Sequence, residues 1–368
     1  APAGDDVAAI ILSSGSTGKP KGVAHTQRSL LEAAKGGQYA LGGLNRHDCG
    51  LLYMQPSFAG WPIIVLPLVA AKSKVFFGAQ FTPQGCLDTV ERERVTLAPL
   101  VPTMWRMVFE EDVAKRDLSP LRMVTIAGEP PAPSDIASLH ARICPRIASL
   151  YLSAEGLTAS GVIAFTEDLL RPGKAASTGR PAPGVDVRIV DPAGGFDDEL
   201  PVGETGEIVV SGPSMAAGYW NDDALTAQRF RDGWWRSGDL GRVDAEGDLW
   251  VVGRIDNVIN TGGIKVSGEE VERALLGNPA VAQCAVIGVP DERFGRRIEA
   301  WIVARGAAPS AEALGAFCRD QAGLAGFKVP KVFHFVAELP TGPTGKLYRR
   351  ALRGDARPLS THRSGEHP

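Results

Sequence analysis

The sequence predicts an α/β fold: a large domain with mixed and parallel sheets and helices, a β-rich subdomain, then a small α+β C-terminal domain. Three observations carry this expectation. Short apolar β-type runs at residues 7–12, 75–77, 123–127 and 147–151 alternate with longer helical stretches at 30–39 and 83–94. From Pro183 the pattern changes to closely spaced strands at 185–190, 207–211 and 249–252, separated by Gly, Pro and Asp turns. After Gly253-Arg254 a third pattern opens with Ser267-Gly268-Glu269-Glu270, a capping-box sequence before an amphipathic helix. Strands at 283–289 and 298–303, a helix at 311–322 and a strand at 332–336 follow. The expected boundaries are therefore 1–182 for the core, 183–256 for the β-rich subdomain, 257–353 for the small domain and 354–368 for a loose polar tail.

With 368 residues, 44% of them apolar, the chain can bury a sizeable core. Lys and Arg number 39 against 42 acidic residues, a net charge of −3, and no basic run provides a footprint for nucleic acid. The apolar run at 63–71 is broken by Pro67 and is half the length a bilayer requires, so it is expected in the core and no membrane partner is expected. Cys49, Cys86, Cys144, Cys284 and Cys318 show no metal-ligand spacing, which predicts reduced thiols and a cytoplasmic location. Glycine and proline, 43 and 27 residues, are abundant without periodicity and mark turns at particular places.

The first such place is Ser13-Ser14-Gly15-Ser16-Thr17-Gly18-Lys19-Pro20-Lys21-Gly22, between the strand at 7–12 and a helix expected to start near Thr26 or Ser29. Its glycines permit close backbone approach, its hydroxyls donate and its lysines supply charge, so phosphate is the natural guest. It is not a Walker loop, because Pro20 stands five residues after Gly15 and Val23 follows Gly22.

This string resembles the phosphate loop of the adenylate-forming superfamily, which includes acyl-CoA synthetases, peptide-synthetase adenylation domains and luciferases. Further motifs follow in family order: Ala127-Gly128-Glu129-Pro130, Tyr151-Leu152-Ser153-Ala154-Glu155, Gly203-Glu204-Thr205-Gly206-Glu207, Trp235-Arg236-Ser237-Gly238-Asp239, Gly253-Arg254-Ile255-Asp256-Asn257, Gly262-Gly263-Ile264-Lys265-Val266, and Pro340 to Lys346. The likeness spans residues 6–353 and is closest to the acyl-CoA synthetases. It implies an AMP-forming acid–CoA ligase that uses ATP, Mg²⁺ and coenzyme A, and a mobile small domain. The family's N-terminal region has no counterpart in this chain.

A carboxylate needs a better leaving group than oxide before a thiol can displace it, and AMP is the one this family supplies. The resemblance implies that Ser14, Ser16, Thr17, Gly18 and Lys21 hold the β/γ-phosphates. Gly128, Glu129, Pro130, Tyr151 and Ser153 line the adenine side, with Tyr151 stacking on the base. Glu155 binds Mg²⁺ through a hard oxygen. Asp239 accepts from the ribose hydroxyls, Arg254 bonds ribose or phosphate, and Asp256 is the hinge. Lys346 bridges the substrate carboxylate and the α-phosphate, while Gly262, Gly263 and Lys265 form the pantetheine channel. The six histidines, at 25, 47, 140, 334, 362 and 367, make no nucleophilic triad and are expected in structural or surface roles.

Two departures bear on specificity. Ala59 in Pro56-Ser57-Phe58-Ala59 stands where the family has histidine and amino-acid-activating relatives have aspartate, which disfavours an α-amino acid. Leu152 and Ala154 replace glycine and threonine. A pocket of Phe58, Ala59, Trp61, Thr103, Leu152 and Ala154 is apolar and suits a bulky hydrophobic acid, aromatic or polycyclic. Four readings stay open: a complete acid–CoA ligase, an enzyme proficient mainly in forming thioester from acyl-adenylate, a module that loads a carrier protein, and a silent nucleotide-binding protein. A homo-oligomer is compatible with each. Lys346→Ala is expected to abolish acid-dependent ATP–pyrophosphate exchange. Ala154→Thr is expected to raise exchange at least about tenfold, since one such donor is worth about 2–4 kcal/mol of barrier; an unchanged rate rejects that explanation.

Overall fold

A computed structural model describes residues 2–13, 21–54, 56, 58–128, 131–340, 347–353 and 360–363. The chain divides into two compact units, Ala1–Ser237 with Gly241–Val251, and Gly238–Leu240 with Val252–Pro368.

The first unit is built on a seven-stranded sheet. In spatial order its strands are Lys74–Phe77, Cys49–Leu52, Leu97–Leu100, Met123–Ala127, Ile147–Tyr151, Val162–Phe165 and Arg180–Pro181. The first five run parallel, Val162–Phe165 runs antiparallel to them, and Arg180–Pro181 pairs antiparallel with it. Parallel strands need crossovers, and the helices Gly60–Ala70, Pro83–Glu93, Pro102–Phe109 and Pro133–Arg142 supply them. Because successive side chains point to opposite faces, neighbours enter different cores. Leu52 and Met123 pack with one apolar cluster, Leu51 and Val124 with the other. Both faces are thus covered, and Cys49–Leu52 and Leu97–Leu100 are buried at every position.

The apolar run around Pro67 forms the helix Gly60–Ala70, which crosses close to the helix Gln27–Ala40. Gly37 allows the approach: a Cβ there would lie 2.0 Å from Pro67 Cγ. Gln38 Nε2 donates to the Pro67 carbonyl at 2.8 Å.

Around this sheet lie two antiparallel sheets. One runs Asp186–Val190, Gly206–Ser211, Trp234–Val243, Phe230–Arg231, with Leu249–Arg254 also paired to Trp234–Val243. The other is Val7–Ser13, Lys21–Thr26, Gly218–Tyr219. Residues 21–26 were expected to lead from the loop into a helix; they are instead the central strand of that small sheet. Hydrogen bonding on both edges and full burial of Val23, Ala24 and His25 explain why they extend. The helix begins only at Gln27, capped by Thr26 Oγ1, which accepts from Ser29 N at 3.1 Å.

In the second unit, Val281–Asp291, Gly295–Ala304, Val332–Phe335 and Ser360–Arg363 form a four-stranded sheet packed with the helices Gly268–Leu276 and Ala311–Asp320 around Phe333. A loose end from Gly354 does not describe residues 360–363, which pair antiparallel with Val332–Phe335. The capping box at Ser267 is half made. Ser267 accepts from Glu270 N at 3.4 Å, but the Glu270 carboxylate takes Lys328 Nζ at 2.6 Å instead of returning to the cap. No helix among the described residues is long and apolar enough to cross a membrane. All five cysteines are buried, and none of them forms a disulfide.

One ionic knot ties the β-rich part of the first unit together. Lys174, only 8% exposed, reaches Asp244 Oδ2 at 2.6 Å and Asp248 Oδ2 at 2.7 Å, and Trp250 Nε1 donates to Asp244 Oδ2 at 2.7 Å. Burial by itself would raise the Asp244 carboxyl, but Lys174, Trp250 and the backbone N–H groups of Asp248 and Glu246 outweigh it and hold it well below the usual range. A carboxyl with a depressed folded pKa contributes stability above its unfolded pKa and loses it as pH falls. The thermal midpoint is therefore expected to drop as pH falls from roughly 5 toward 2, with a shallower slope in Asp244→Asn, measured by calorimetry across that range. Parallel slopes would assign the acid sensitivity to other groups.

Candidate active site

In an open parallel sheet the crevice outside the carboxyl ends of the strands is where ligands bind. Gly128 follows the strand Met123–Ala127 with φ +92°, a conformation that glycine adopts without strain. Tyr151, half-buried, closes the strand Ile147–Tyr151. The chain then turns sharply: Ser153 Oγ accepts from Gly156 N at 2.9 Å, and the Ser153 carbonyl from Leu157 N at 3.0 Å.

That turn delivers Glu155, 8% exposed, into a polar cluster. Its carbonyl accepts from Ala216 N at 2.8 Å, and its Oε1 accepts from the Tyr219 hydroxyl at 3.0 Å. The Tyr219 oxygen in turn accepts from Trp235 Nε1 at 3.3 Å, and Lys21 Nζ lies 5.5 Å from the centre of the tyrosine ring. His25 secures the same turn, with Nε2 2.8 Å from the Ala154 carbonyl and Nδ1 3.1 Å from Ser29 Oγ. A carbonyl only accepts, so Nε2 carries the hydrogen. Burial, stronger than the opposing effect of the Ala154 bond, lowers the His25 pKa and keeps the ring neutral. Lys21 and Glu155 are thus brought to one cluster. Ser14, Ser16, Thr17, Gly18, Glu129, Pro130 and Lys346 lie outside the described residues.

Sequence reasoning missed Tyr219 and placed His25 among merely structural or surface histidines. The available signal for Tyr219 was a lone tyrosine behind the small residues Ala216-Ala217-Gly218, since a buried phenol requires a partner.

A cavity of about 370 Å³ opens at the carboxyl ends of Cys49–Leu52 and Lys74–Phe77, lined mainly by Leu52, Tyr53, Met54, Pro56, Trp61 and Phe77. Trp61 stacks on Phe77 with centroids 5.8 Å apart and planes at 18°. Of the six expected acyl-pocket residues, only Trp61 lines this cavity. Ala59, Leu152 and Ala154 pack with Trp61 against the core beneath it. Thr103 sits in the helix Pro102–Phe109, and Phe58 bridges Leu12. Tyr53, Met54 and Phe77 were not anticipated, because an edge strand such as 74–77 gives no sign of which side chain will face a cavity. Ala59 is also the N-cap of the helix Gly60–Ala70 and provides no side-chain cap.

In the second unit Asp239 Oδ1 accepts from Arg254 Nη1 at 2.9 Å. Asp256 lies in the 3₁₀ turn Ile255–Asn257. Two donors converge nearby on the Val252 carbonyl, Ser267 Oγ at 3.1 Å and Arg273 Nη2 at 3.0 Å, and Asn257 Nδ2 donates to Glu269 Oε1 at 2.6 Å. Gly262 and Gly263, φ +58° and +82°, form the two-residue turn between paired Thr261 and Ile264, where both positions require positive φ. Lys265 is exposed on the following strand.

Among the described residues no cluster of three or more His, Cys, Asp or Glu could hold a metal. Glu155 offers a single hard oxygen donor group, which fits Mg²⁺ because that ion is usually bound through one or two carboxylates, substrate phosphates and water.

The sequence profile of the AMP-binding enzymes matches residues 1–220, and that of the AMP-binding enzyme C-terminal domain matches residues 270–346. The chain belongs to the AMP-binding enzyme family. Feruloyl-CoA synthase of an Amycolatopsis species is 38% identical over 359 residues, covering 95% of this chain and 70% of that protein. The 2-hydroxy-7-methoxy-5-methyl-1-naphthoate–CoA ligase of Streptomyces carzinostaticus is 32% identical over 368 residues, 98% of this chain and 64% of that one. Among solved structures, o-succinylbenzoate CoA synthetase of Bacillus subtilis, in complex with its acyl-adenylate, superposes with a TM-score of 0.85 at 28% identity, covering 97% of this chain and 71% of that one. This member of the AMP-binding enzymes is an AMP-forming acid–CoA ligase, with ATP, Mg²⁺ and coenzyme A as its reaction partners.

Proposed function

We propose that this ligase activates a bulky, hydrophobic aromatic carboxylic acid and passes the acyl group to coenzyme A. The observation that carries the substrate class is the cavity beside the stacked Trp61–Phe77 pair. Its lining provides flat apolar surface for a ring, and no charged side chain among those lining it could pair with a substrate ammonium. The aromatic substrates named for the feruloyl and naphthoate relatives support the same class.

In this reading the loop residues Ser14, Ser16, Thr17 and Gly18, with Lys21, hold the outer phosphates, and the segment Gly128 to Pro130 with Tyr151 and Ser153 holds adenine. Glu155 would hold Mg²⁺, whose charge would offset that of the phosphates. Asp239, oriented by Arg254, accepts from the ribose hydroxyls; Asp256 is the hinge of the small domain. Lys346 stabilises charge on the carboxylate and α-phosphate, and the Gly262-Gly263 turn with Lys265 borders the pantetheine path. Glycines there keep Cβ atoms out of that path. With five buried cysteines and no disulfide among them, we place the reaction in the cytoplasm.

A second reading has its own observation. Ala154 packs against the apolar cluster of Val23 and Tyr219 and carries no hydroxyl, which favours an enzyme stronger in thioester formation than in adenylation.

Trp61→Ala is expected to raise KM for an aromatic acid about tenfold to a hundredfold, with KM for ATP unchanged, in a coupled thioester assay over an acid panel. A preference for short aliphatic acids, or equal KM values in both proteins, overturns the substrate class. Asp239→Asn is expected to weaken AMP binding about tenfold by calorimetry, the value of a hydrogen bond to a charged acceptor; unchanged affinity removes Asp239 from the nucleotide site.

A further inference from the structure

We propose that Tyr219 is a positioning residue for the metal-binding carboxylate, setting the orientation of Glu155 through the hydrogen bond from its hydroxyl. The inference rests on the assignment of Glu155 to Mg²⁺.

The direction of the hydrogen bonds is dictated by chemistry. Trp235 Nε1 can only donate, and it lies 3.3 Å from the Tyr219 oxygen. An ionised carboxylate can only accept, so the single phenolic hydrogen goes to Glu155 Oε1, 3.0 Å away. The indole, phenol and carboxylate form an ordered relay in which each bond polarises the next. The phenol supplies the buried carboxylate with a donor that carries no charge, which satisfies Oε1 and fixes its direction. A phenol ordinarily titrates at about pH 10, so the hydroxyl carries its hydrogen at neutral pH.

The backbone of Tyr219 is equally fixed. Gly218 pairs with Ala24 and Tyr219 with Val23, on the strand that leaves the phosphate loop. Tyr219 N donates to Thr226 Oγ1 at 2.9 Å, and Trp220 N to the Gly22 carbonyl at 2.7 Å. Gly218 has φ +147°, and a Cβ there would meet Thr226 Cγ2 at 2.5 Å, so no other residue fits that step. The ring lies edge-on to Phe230, centroids 5.5 Å apart, with Lys21 Nζ 5.5 Å from its centre. Tyr219 thus links the strand starting at Lys21 to the turn that carries Glu155. A tyrosine that served only to fill the core would need none of this polar alignment.

The test compares the full chain with Tyr219→Phe, which keeps the ring, and with Glu155→Gln. ATP affinity is measured by calorimetry with saturating Mg²⁺ and again in EDTA, and the Mg²⁺ concentration for half-maximal ATP–pyrophosphate exchange is titrated. Tyr219→Phe is expected to raise that concentration about tenfold, the usual effect of losing a partner behind a metal ligand, and to leave ATP affinity in EDTA unchanged. A metal requirement equal to wild type in Tyr219→Phe, with Glu155→Gln shifted, overturns the positioning role alone. Equal loss of ATP affinity with and without Mg²⁺ in Tyr219→Phe also overturns it, in favour of a packing role. An unshifted metal requirement in Glu155→Gln overturns the assignment of Glu155 itself, and the inference with it.

Discussion

A carboxylate that is taken out of water must either be protonated or be given donors, and the heart of the first unit is arranged around that requirement at Glu155. Its backbone is pinned by Ala216 and its side chain by Tyr219. Tyr219 can stand there only because Gly218–Tyr219 completes the small sheet against Lys21–Thr26. Lys21–Thr26 also carries His25 to the Ala154 carbonyl, so the turn at 154–155 is held from two adjacent strands of one sheet. The parallel sheet supplies the edge from which the turn departs, and its helix-covered faces supply rigidity. A hydrogen-bond relay of this kind tolerates little displacement, and its two donors, Tyr219 and Trp235, are both borne by strands.

Much of this architecture was legible in the sequence because periodicity reports burial. The runs at 123–127 and 147–151 appear as fully paired strands, and the capping residue Thr26 marks the helix that follows. What local pattern could not show is pairing over long separations. Lys21–Thr26 contains Gly22 and ends on His25-Thr26, a poor strand by composition; it is extended because Gly218–Tyr219, almost two hundred residues later, bonds its second edge. Ser360–Arg363 was hidden for the same reason, since its partner Val332–Phe335 gives it order that its own residues do not.

The candidate site divides along the same line. The family resemblance singled out Glu155, Tyr151 and Asp239 as candidates, because each stands within a recognisable motif. The residues that support them carry no such mark. Trp235 appeared within a motif for the sake of Asp239, yet its indole works on Tyr219. The cavity beside Trp61 shows the limit most clearly: Trp61 was anticipated from its neighbours in sequence, but its partner Phe77 comes from an edge strand whose pairing had first to be known.

The buried cysteines acquire a meaning once the chemistry is known. An enzyme that makes acyl-adenylates holds a strong electrophile and then offers it to a thiol, so any thiolate of its own would compete. All five cysteines are buried. Burial pushes Cys86 up to about 12 and Cys318 up to about 11, and raises Cys49 and Cys144 as well. Protonated thiols packed in apolar surroundings are poor nucleophiles. In this fold those sulfurs therefore serve as apolar packing and not as reactive groups.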